Sequence, residues 1–208
     1  MSVDRLILAS ASPRRRDLLA SLGVNFCCQA ADIDESVGSQ EAPGDYVLRM
    51  ARCKAAAIAA MAQQETYAVL GADTTVVVDG DILGKPRSHR DALETLSCLS
   101  GRWHTVITAV CLHTQDTVCY RFVETDVHFV VLDRQVCEAY LATDEPWDKA
   151  GSYAIQGLGG AFVREIRGSY SSVVGLPLTE TWELLCEQGI PTTLSTHSLG
   201  RNVSQGTL

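Results

Sequence analysis

The sequence predicts an α/β protein, because strand and helix periodicities alternate along the chain. Its 208 residues are enough for one sizeable core, or for two lobes that share a core. Strand patterns at about residues 103–113 and 117–132 are separated only by a polar turn. That turn is too short for a crossover helix, so we expect these two strands to be antiparallel.

The first strand and helix are predicted within the segment LILASASPRRRDLL, residues 6–19. Residues 6–8 form an apolar run, and Ser12 and Pro13 suit the N-cap and first position of a helix. Three arginines then occupy the first helical turn, where the helix dipole disfavours each cation by roughly 0.3–1 kcal/mol. A bound phosphate would compensate, because the helix N-terminus and the guanidinium groups both donate hydrogen bonds. The alternative is a solvated basic turn.

The next segment is predicted to contain a strand, a long helix and a hairpin. Residues 24–28 have a strand pattern and lead into an acidic loop that contains Glu35. Pro43 begins a helix that runs to about residue 63. Residues 68–78 contain two strand segments, and Asp79-Gly80-Asp81 is a hairpin turn signal before a short strand.

Three further helices are predicted in the second half of the chain. Apolar residues at helical spacing predict a helix over residues 88–100. Asp133 is the N-cap of a helix that extends to about residue 141. A last helix begins near Pro177 and ends at Gly189. Residues 151–160, between these helices, are rich in glycine.

Composition limits the possible partners and locations. The net charge of −8 argues against binding along a nucleic-acid backbone, although cations in a cleft can still hold a triphosphate. No apolar run approaches the ~20 residues of a membrane span, and no signal-peptide pattern is present. The eight cysteines have neither C-x-x-C nor zinc-site spacing, so we expect free thiols. We expect a cytoplasmic domain over residues 3–192 and a polar, disordered tail at 195–208.

Two charged residues interrupt apolar patterns. Lys54 lies within the apolar stripe of the helix after Pro43, so its ammonium either extends to solvent or ends in a cleft and meets phosphate. Asp73 lies between two apolar segments, where a carboxylate needs a cation, a metal or N–H donors. It is either a turn residue that caps a bend after Gly71, or a metal ligand or general base at a strand end.

Other charged and aromatic positions are weaker signals. Lys85 follows a short strand and precedes a proline. Glu35 is either a hard oxygen ligand for Mg²⁺ or Mn²⁺ or a solvated surface residue. Trp103 and His104 fall in a predicted strand and are interpreted as structural. Neither a P-loop nor a dinucleotide-binding glycine pattern is present.

Several ordered motifs together resemble the Maf family of nucleoside triphosphate pyrophosphatases. They are ASASPRRRDLL, GADTTVVVDGDILGKP, LSGRWHTVITAV and KAGSYAIQGLGGAFV followed by IRGSYSSVVGLPL. The resemblance runs from about residue 6 to residue 189. It implies a mixed, elongated α/β sheet flanked by helices, related to inosine triphosphatases, with two lobes around a central cleft. It also implies a divalent metal, a homodimer, and hydrolysis of a nucleoside triphosphate to monophosphate and pyrophosphate; the expectation of no nucleic-acid or membrane partner rests on the charge and the apolar runs.

The resemblance assigns roles to individual residues. Asp73 of GADT matches the general base, and Arg14, Thr74 and Gln156 match positions associated with substrate choice. The charged or polar positions implied to hold the phosphates are Ser10, Arg14, Arg15, Lys54 and Lys85, and those implied to hold the metal are Glu35 and Asp73.

Gln156, together with Arg14 and Thr74, resembles the branch of the family that acts on dTTP and UTP. A second branch acts on 7-methyl-GTP and has a glutamate in that region. A carboxamide offers both a donor and an acceptor to a pyrimidine edge, whereas a carboxylate only accepts. The expected substrates are therefore dTTP, UTP and modified pyrimidine triphosphates. The alternatives are the 7-methyl-GTP activity, a non-catalytic nucleotide-binding regulator of cell division, and a Gln156 that bonds only to its own loop.

Overall fold

The computed structural model of the protein describes residues 5–61 and 67–194. Its strands are β1 (Arg5–Leu8), β2 (Phe26–Cys28), β3 (Tyr67–Val78), β4 (Asp81–Leu83), β5 (Trp103–Thr114), β6 (Val118–Phe129) and β7 (Val163–Arg167). Its helices are α1 (Pro13–Ser21), α2 (Pro43–Ala59), α3 (His89–Leu99), α4 (Arg134–Leu141), α5 (Tyr170–Val174) and α6 (Leu178–Glu187), with short 3₁₀ turns at Ala150–Ser152 and Leu158–Phe162. The predicted tail at 195–208 lies outside the described residues.

The strands form one mixed sheet in the order β2-β1-β3-β5-β6-β7, with β4 paired to the far end of β3. Strand β1 is parallel to β2 and β3, and the remaining pairs are antiparallel. This confirms the α/β class, the mixed sheet and the antiparallel pair β5–β6. The Asp79-Gly80 turn also connects β3 to β4 as predicted, because Val78 pairs with Asp81.

Strand β3 is a single element of 12 residues, so the prediction of two strand segments was wrong. It pairs with β5 without interruption from Ala68 to Val77. Gly71 does not break the strand but allows helix α2 to approach it. A Cβ atom at Gly71 would lie only 2.2 Å from the carbonyl oxygen of Ala51 and 2.8 Å from the amide nitrogen of Ala55.

The predicted helix signals occupy their expected positions. The Ser12 hydroxyl accepts from the amide of Arg15 at 3.4 Å, and Pro13 begins α1. The Asp133 carboxylate accepts from the amide of Val136 at 2.8 Å and caps α4. Helix α2 ends at Ala59, before the predicted residue 63.

Some short elements and strand ends were not predicted. Strand β7 and helix α5 have five residues each, which is too short for a clear periodicity. Strand β6 ends at Phe129 rather than near residue 132, and a register shift interrupts its pairing with β7 between His128 and Phe129. Strand β2 begins at Phe26, two residues later than predicted.

Alternating residues of β3 face different parts of the core. Leu70 and Ala72 pack with helices α1 and α6 on one face of the sheet, whereas Val69 packs against helix α2 on the other. Because side chains of a strand alternate between faces, Asp73 projects on the side of Val69 and α2. This alternation brings the carboxylate of Asp73 to the helix that carries Lys54.

Two further expectations concern the cysteines and the membrane. All eight cysteines are free thiols, as predicted. Within the two described ranges, no helix combines the length and apolar character that crossing a bilayer requires.

The side chains of His104 and Trp103 make packing contacts within the protein, which agrees with the structural role interpreted from the sequence. His104 is 3% exposed, its Nε2 lies 2.9 Å from the Tyr153 hydroxyl, and its ring meets the Phe129 ring edge-on at 4.9 Å. Trp103 stacks on the ring of His128 at 4.8 Å. Burial lowers the pKa of His104 to about 4, so the imidazole is neutral at pH 7.

We expect His104 to make folding stability pH-dependent below pH 6.5. The unfolded chain protonates this imidazole near pH 6.5, whereas the folded chain does so only near pH 4. The contribution of His104 to stability should therefore stay constant above that window and fall by up to about 3 kcal/mol as pH drops through it. Urea unfolding at pH 7, 6, 5 and 4.5 measures how the free energy of unfolding changes with pH. His104→Gln should make this free energy less dependent on pH, and the control His113→Gln should not. An unchanged pH dependence in His104→Gln would assign the effect to other groups.

Candidate active site

A cavity of about 600 Å³ opens beside the start of α1 and the middle of β3. Its walls include the segment after β1, the acidic loop before α2, and the glycine-rich segment near residue 155. All the residues proposed for the site from sequence line this cavity: Ser10, Arg14, Arg15, Glu35, Lys54, Asp73, Thr74, Lys85 and Gln156. The fold therefore brings together positions separated by more than a hundred residues, while their chemical roles stay predictions.

Lys54 links two carboxylates at the wall of this cavity. Its Nζ atom donates to Asp73 Oδ1 at 2.7 Å and lies 2.7 Å from Glu35 Oε1. The side chains of Lys54 and Asp73 are only 11% and 12% exposed. Of the two alternatives for Lys54, the structure supports the ammonium in a cleft.

The position of Asp73 corrects both interpretations of its backbone setting. Asp73 lies within the continuous strand β3, so it does not cap a turn and does not stand at the end of its own strand. The strand end near it belongs to the neighbouring β1, where Leu8 pairs with Leu70. The segment that follows β1 reaches the same cavity and contributes Ser10, which is 8% exposed.

The loop that carries Glu35 is fixed to helix α2 by side-chain hydrogen bonds. The Tyr46 hydroxyl donates to the carbonyl oxygen of Glu35 at 3.0 Å. Arg49 donates to the carbonyl oxygen of Ser36 at 2.9 Å and to both oxygens of Glu41 at 2.6 Å. Although burial opposes ionisation of Glu35, the hydrogen bond and charge of Lys54 lower the pKa of its carboxyl group. The loop therefore presents an ionised carboxylate to the cavity.

Thr74 and the sheet behind it hold the guanidinium group of Arg15. Arg15 Nε donates to the carbonyl oxygen of Gly175 at 2.8 Å, and its Nη2 donates to Thr74 Oγ1 at 3.1 Å. Thr74 Oγ1 also accepts from the Thr108 hydroxyl at 3.0 Å. Burial lowers the pKa of Arg15, but a guanidinium keeps its charge at any physiological pH. Thr74 therefore lines the cavity and also accepts a hydrogen bond from Arg15, a residue predicted to bind phosphate.

The other arginines of the first turn of α1 are more exposed. Arg14 Nη1 lies 3.9 Å from Asp148 Oδ2, and at this distance and exposure the pair contributes little to stability. Arg16 pairs with its neighbour Asp17 on the exposed surface and is absent from the cavity wall. Lys85 is exposed and also lines the cavity. These positions leave Arg14 and Lys85 accessible to an anionic ligand.

Gln156 is exposed and lines the cavity in the glycine-rich segment. The alternative that it bonds only to its own loop predicts a hydrogen bond from the carboxamide to nearby backbone. Across residues 5–61 and 67–194, the structure gives this carboxamide no hydrogen bond to protein. Its donor and acceptor therefore remain for a ligand.

Glu35 and Asp73, which the family resemblance implies to hold a metal ion, lie close together at the cavity wall. Both touch the same Nζ atom at 2.7 Å, so their nearest oxygens are at most twice that distance apart. In the described part of the chain, no three or more His, Cys, Asp or Glu side chains cluster as a metal-binding group. Magnesium is commonly bound by one or two carboxylates together with substrate phosphates. The residues present fit an ion of that kind, shared between protein and nucleotide.

Sequence reasoning missed the residues that support the cavity wall from behind. Tyr140 and Glu145 hydrogen-bond the segment around Gln156, and Thr108 supports Thr74. Glu145 lies in the polar sequence TDEPWDK, which looks like an ordinary surface loop. The glycines at 157, 159 and 160 were the signal that could have indicated this contact, because glycine often marks a place where another group approaches the backbone closely.

The family described as Maf-like protein matches residues 5–188. A dTTP/UTP pyrophosphatase from Shewanella sp. (strain MR-7) is 53% identical over 191 residues, covering 89% of this chain and 98% of the relative. Proteins of the same name from Colwellia psychrerythraea and Methylobacillus flagellatus are 50% and 49% identical. Their alignments cover 89% and 93% of this chain, and 89% and 98% of the relatives.

Proposed function

The chain belongs to the family of Maf-like proteins, and we propose on that basis that it is a nucleoside triphosphate pyrophosphatase that hydrolyses dTTP and UTP. The products are the nucleoside monophosphate and pyrophosphate. The observation that carries the proposal is the buried Asp73 carboxylate at the wall of a cavity that also collects Arg14, Arg15, Lys54 and Lys85. The names of the relatives support dTTP and UTP as substrates.

The cationic side chains of the cavity bind the triphosphate. Arg15 is fixed by Gly175 and Thr74, so its guanidinium loses little further freedom when it donates to phosphate oxygens. Arg14 and Lys85 supply mobile charges at the accessible walls. Donors placed where charge develops on the departing pyrophosphate favour the transition state over the bound substrate.

Asp73 acts as the general base for a water molecule. Among the described residues, Lys54 is the one hydrogen-bond partner of its carboxylate, which leaves the second oxygen to accept a proton. The water oxygen attacks the α-phosphorus, and the bond from that phosphorus to the α,β-bridging oxygen breaks. The proton passes to Asp73, and the leaving pyrophosphate takes the bridging oxygen with its electron pair. Lys54 holds the carboxylate in place through its hydrogen bond to Oδ1.

The divalent metal is part of the proposal because two carboxylates, those of Glu35 and Asp73, stand at the cavity wall. When bound, Mg²⁺ or Mn²⁺ supplies charge neutralisation for the phosphate oxygens. The role of this chain is to present Glu35 in its ionised form on a loop fixed by Tyr46 and Arg49. The homodimer and the cytoplasmic location stay predictions.

The carboxamide of Gln156 reads the base. Uracil and thymine share an edge of two carbonyl acceptors around an N–H donor, so a site that pairs with this edge accepts both. Cytosine carries an amine at one of these positions and is disfavoured, because a buried polar group is then left unpaired. Pyrophosphate release from UTP, dTTP, CTP, GTP and 7-methyl-GTP separates this proposal from the purine-selective activity and from a regulator that binds without hydrolysis.

We expect Asp73→Asn to reduce turnover of UTP by about 10²–10⁴-fold, because the amide cannot accept the proton of the attacking water. The measurement is steady-state release of pyrophosphate, with circular dichroism to confirm that the variant folds. Asp81→Asn, in the exposed part of strand β4, is the matched control and should keep normal turnover. An Asp73→Asn variant with more than half of normal activity would remove Asp73 from the mechanism.

Lys54→Ala and Lys85→Ala should each lower kcat/KM by about tenfold to a hundredfold, since each removes a charged hydrogen bond worth ~1.5–3 kcal/mol. The loss should be the same for every nucleotide, because all substrates share the triphosphate. Measurements with UTP, dTTP and GTP test this, with Arg90→Ala on the exposed face of α3 as control. A changed ratio of UTP to GTP hydrolysis would show that one of these lysines reads the base instead.

Gln156→Glu should lower kcat/KM for dTTP and UTP by about tenfold to a hundredfold, because a carboxylate repels the O4 acceptor and lacks the amide donor. Other nucleotides should lose less. The measurement is kcat/KM for UTP, dTTP, CTP and GTP on both proteins. Gln135→Glu on the exposed face of α4 adds the same charge away from the cavity. If the order of preference stays unchanged, Gln156 does not read the base.

A further inference from the structure

The segment that carries Gln156 is held on both sides by two residues that lie outside the cavity wall. On the C-terminal side, Glu145 Oε2 accepts from the amide of Leu158 and Oε1 accepts from the amide of Gly159, both at 2.9 Å. On the N-terminal side, the Tyr140 hydroxyl accepts from the amide of Ala154 at 3.1 Å. The backbone is thus anchored two residues before and two residues after the carboxamide.

These two anchors form one connected unit. The Tyr140 hydroxyl donates to Glu145 Oε1 at 2.8 Å while it accepts from Ala154. The ring of Tyr140 is 4% exposed and packs edge-on against Phe162 at 4.9 Å, which fixes the hydroxyl in space. The Lys149 ammonium donates to the carbonyl oxygen of Glu145 at 2.7 Å, which holds its backbone as well.

The close approach of Glu145 depends on the neighbouring glycine. A Cβ atom at Gly157 would lie 2.2 Å from Glu145 Oε2, so a side chain there would displace the carboxylate from the amide of Leu158. Burial opposes ionisation of Glu145, but the amides of Gly159 and Leu158 and the Tyr140 hydroxyl lower the pKa of its carboxyl group. An ionised carboxylate has two acceptor oxygens, and three donors use them here.

Gln156 needs such support because it is exposed and the described residues give its side chain no hydrogen bond. An unsupported carboxamide would sample many orientations, and discrimination between bases depends on one of them. We propose that Glu145, together with Tyr140, is a positioning residue for base selectivity that acts through the backbone of Gln156. This inference rests on the proposed function, because it concerns how the same site distinguishes nucleotides.

The test is a double-mutant cycle with Glu145→Gln and Gln156→Ala. Glu145→Gln puts an NH2 group in place of one carboxylate oxygen, so either Leu158 on Oε2 or Gly159 and Tyr140 on Oε1 lose their acceptor. We expect Glu145→Gln to lower kcat/KM for UTP by about tenfold and the UTP:CTP ratio by a similar factor, with the loss divided between KM and kcat. In the Gln156→Ala background the same change should cost less than about twofold, because the carboxamide it positions is already absent.

Control variants separate positioning from general damage. Glu94→Gln removes an exposed carboxylate paired with Arg90 and should leave every parameter unchanged. Tyr140→Phe keeps the aromatic ring, removes both hydroxyl bonds, and should lower selectivity as Glu145→Gln does. It provides the test if Glu145→Gln does not fold. Amide hydrogen exchange at Leu158 or at Gly159 should accelerate in Glu145→Gln, which reports the lost anchor without any nucleotide.

The outcomes distinguish this inference from the proposed function. The positioning role is overturned, and the pyrophosphatase activity stands, if Glu145→Gln lowers UTP and CTP hydrolysis equally. The same holds if the fall in kcat/KM of the double variant equals the product of the falls in the two single variants. If the unmodified protein releases no pyrophosphate from UTP, the proposed function is overturned and this inference with it. If Glu145→Gln lowers the UTP:CTP ratio only when Gln156 is present, the result supports both the proposed function and the positioning role.

Discussion

The contact between the Lys54 ammonium and the carboxylates of Asp73 and Glu35 is the interaction on which the site depends. A buried charge is tolerated only when it is paired, and removal of one partner from a buried pair costs about 3–5 kcal/mol. The three residues come from helix α2, strand β3 and the loop between β2 and α2. Their pairing therefore fixes the relative positions of three elements as well as the charge at the cavity wall.

The part of the cavity wall around Arg15 and Lys54 and the part around Gln156 are built differently. Side chains on or against the sheet form the charged part, where Thr74 and Thr108 support Arg15 and where Lys54 is almost completely buried. An exposed segment of irregular backbone carries Gln156 in another part of the wall. In the proposed function, the contacts that all nucleotides share lie on rigid elements, whereas recognition of a particular base by Gln156 lies on a segment outside the sheet.

The local signals and the set of cavity residues could be predicted from sequence, but several tertiary relations could not. Ser12, Asp133 and the Asp79-Gly80 turn act within a few residues of the chain, so their patterns are readable. Lys54 and Asp73 were found because charges in apolar patterns require partners. Whether Lys54 pairs with a carboxylate was not decidable, since that contact depends on how a helix packs on a sheet. Glu145 acts on backbone amides, and the glycines that follow it in the sequence are the one signal of that contact.

The missing side chain of Gly71 sets the spacing of the whole charged part of the wall. Its backbone is ordinary strand, so glycine is required there by proximity to Ala51 and Ala55 rather than by conformation. Lys54 immediately precedes Ala55 and has a side chain of fixed length, so the gap between helix and strand determines whether its ammonium reaches Asp73. A side chain at position 71 would push helix α2 away from strand β3 and carry the Lys54 ammonium away from Asp73, so packing at this glycine also decides whether the charged pair two residues along the strand can form.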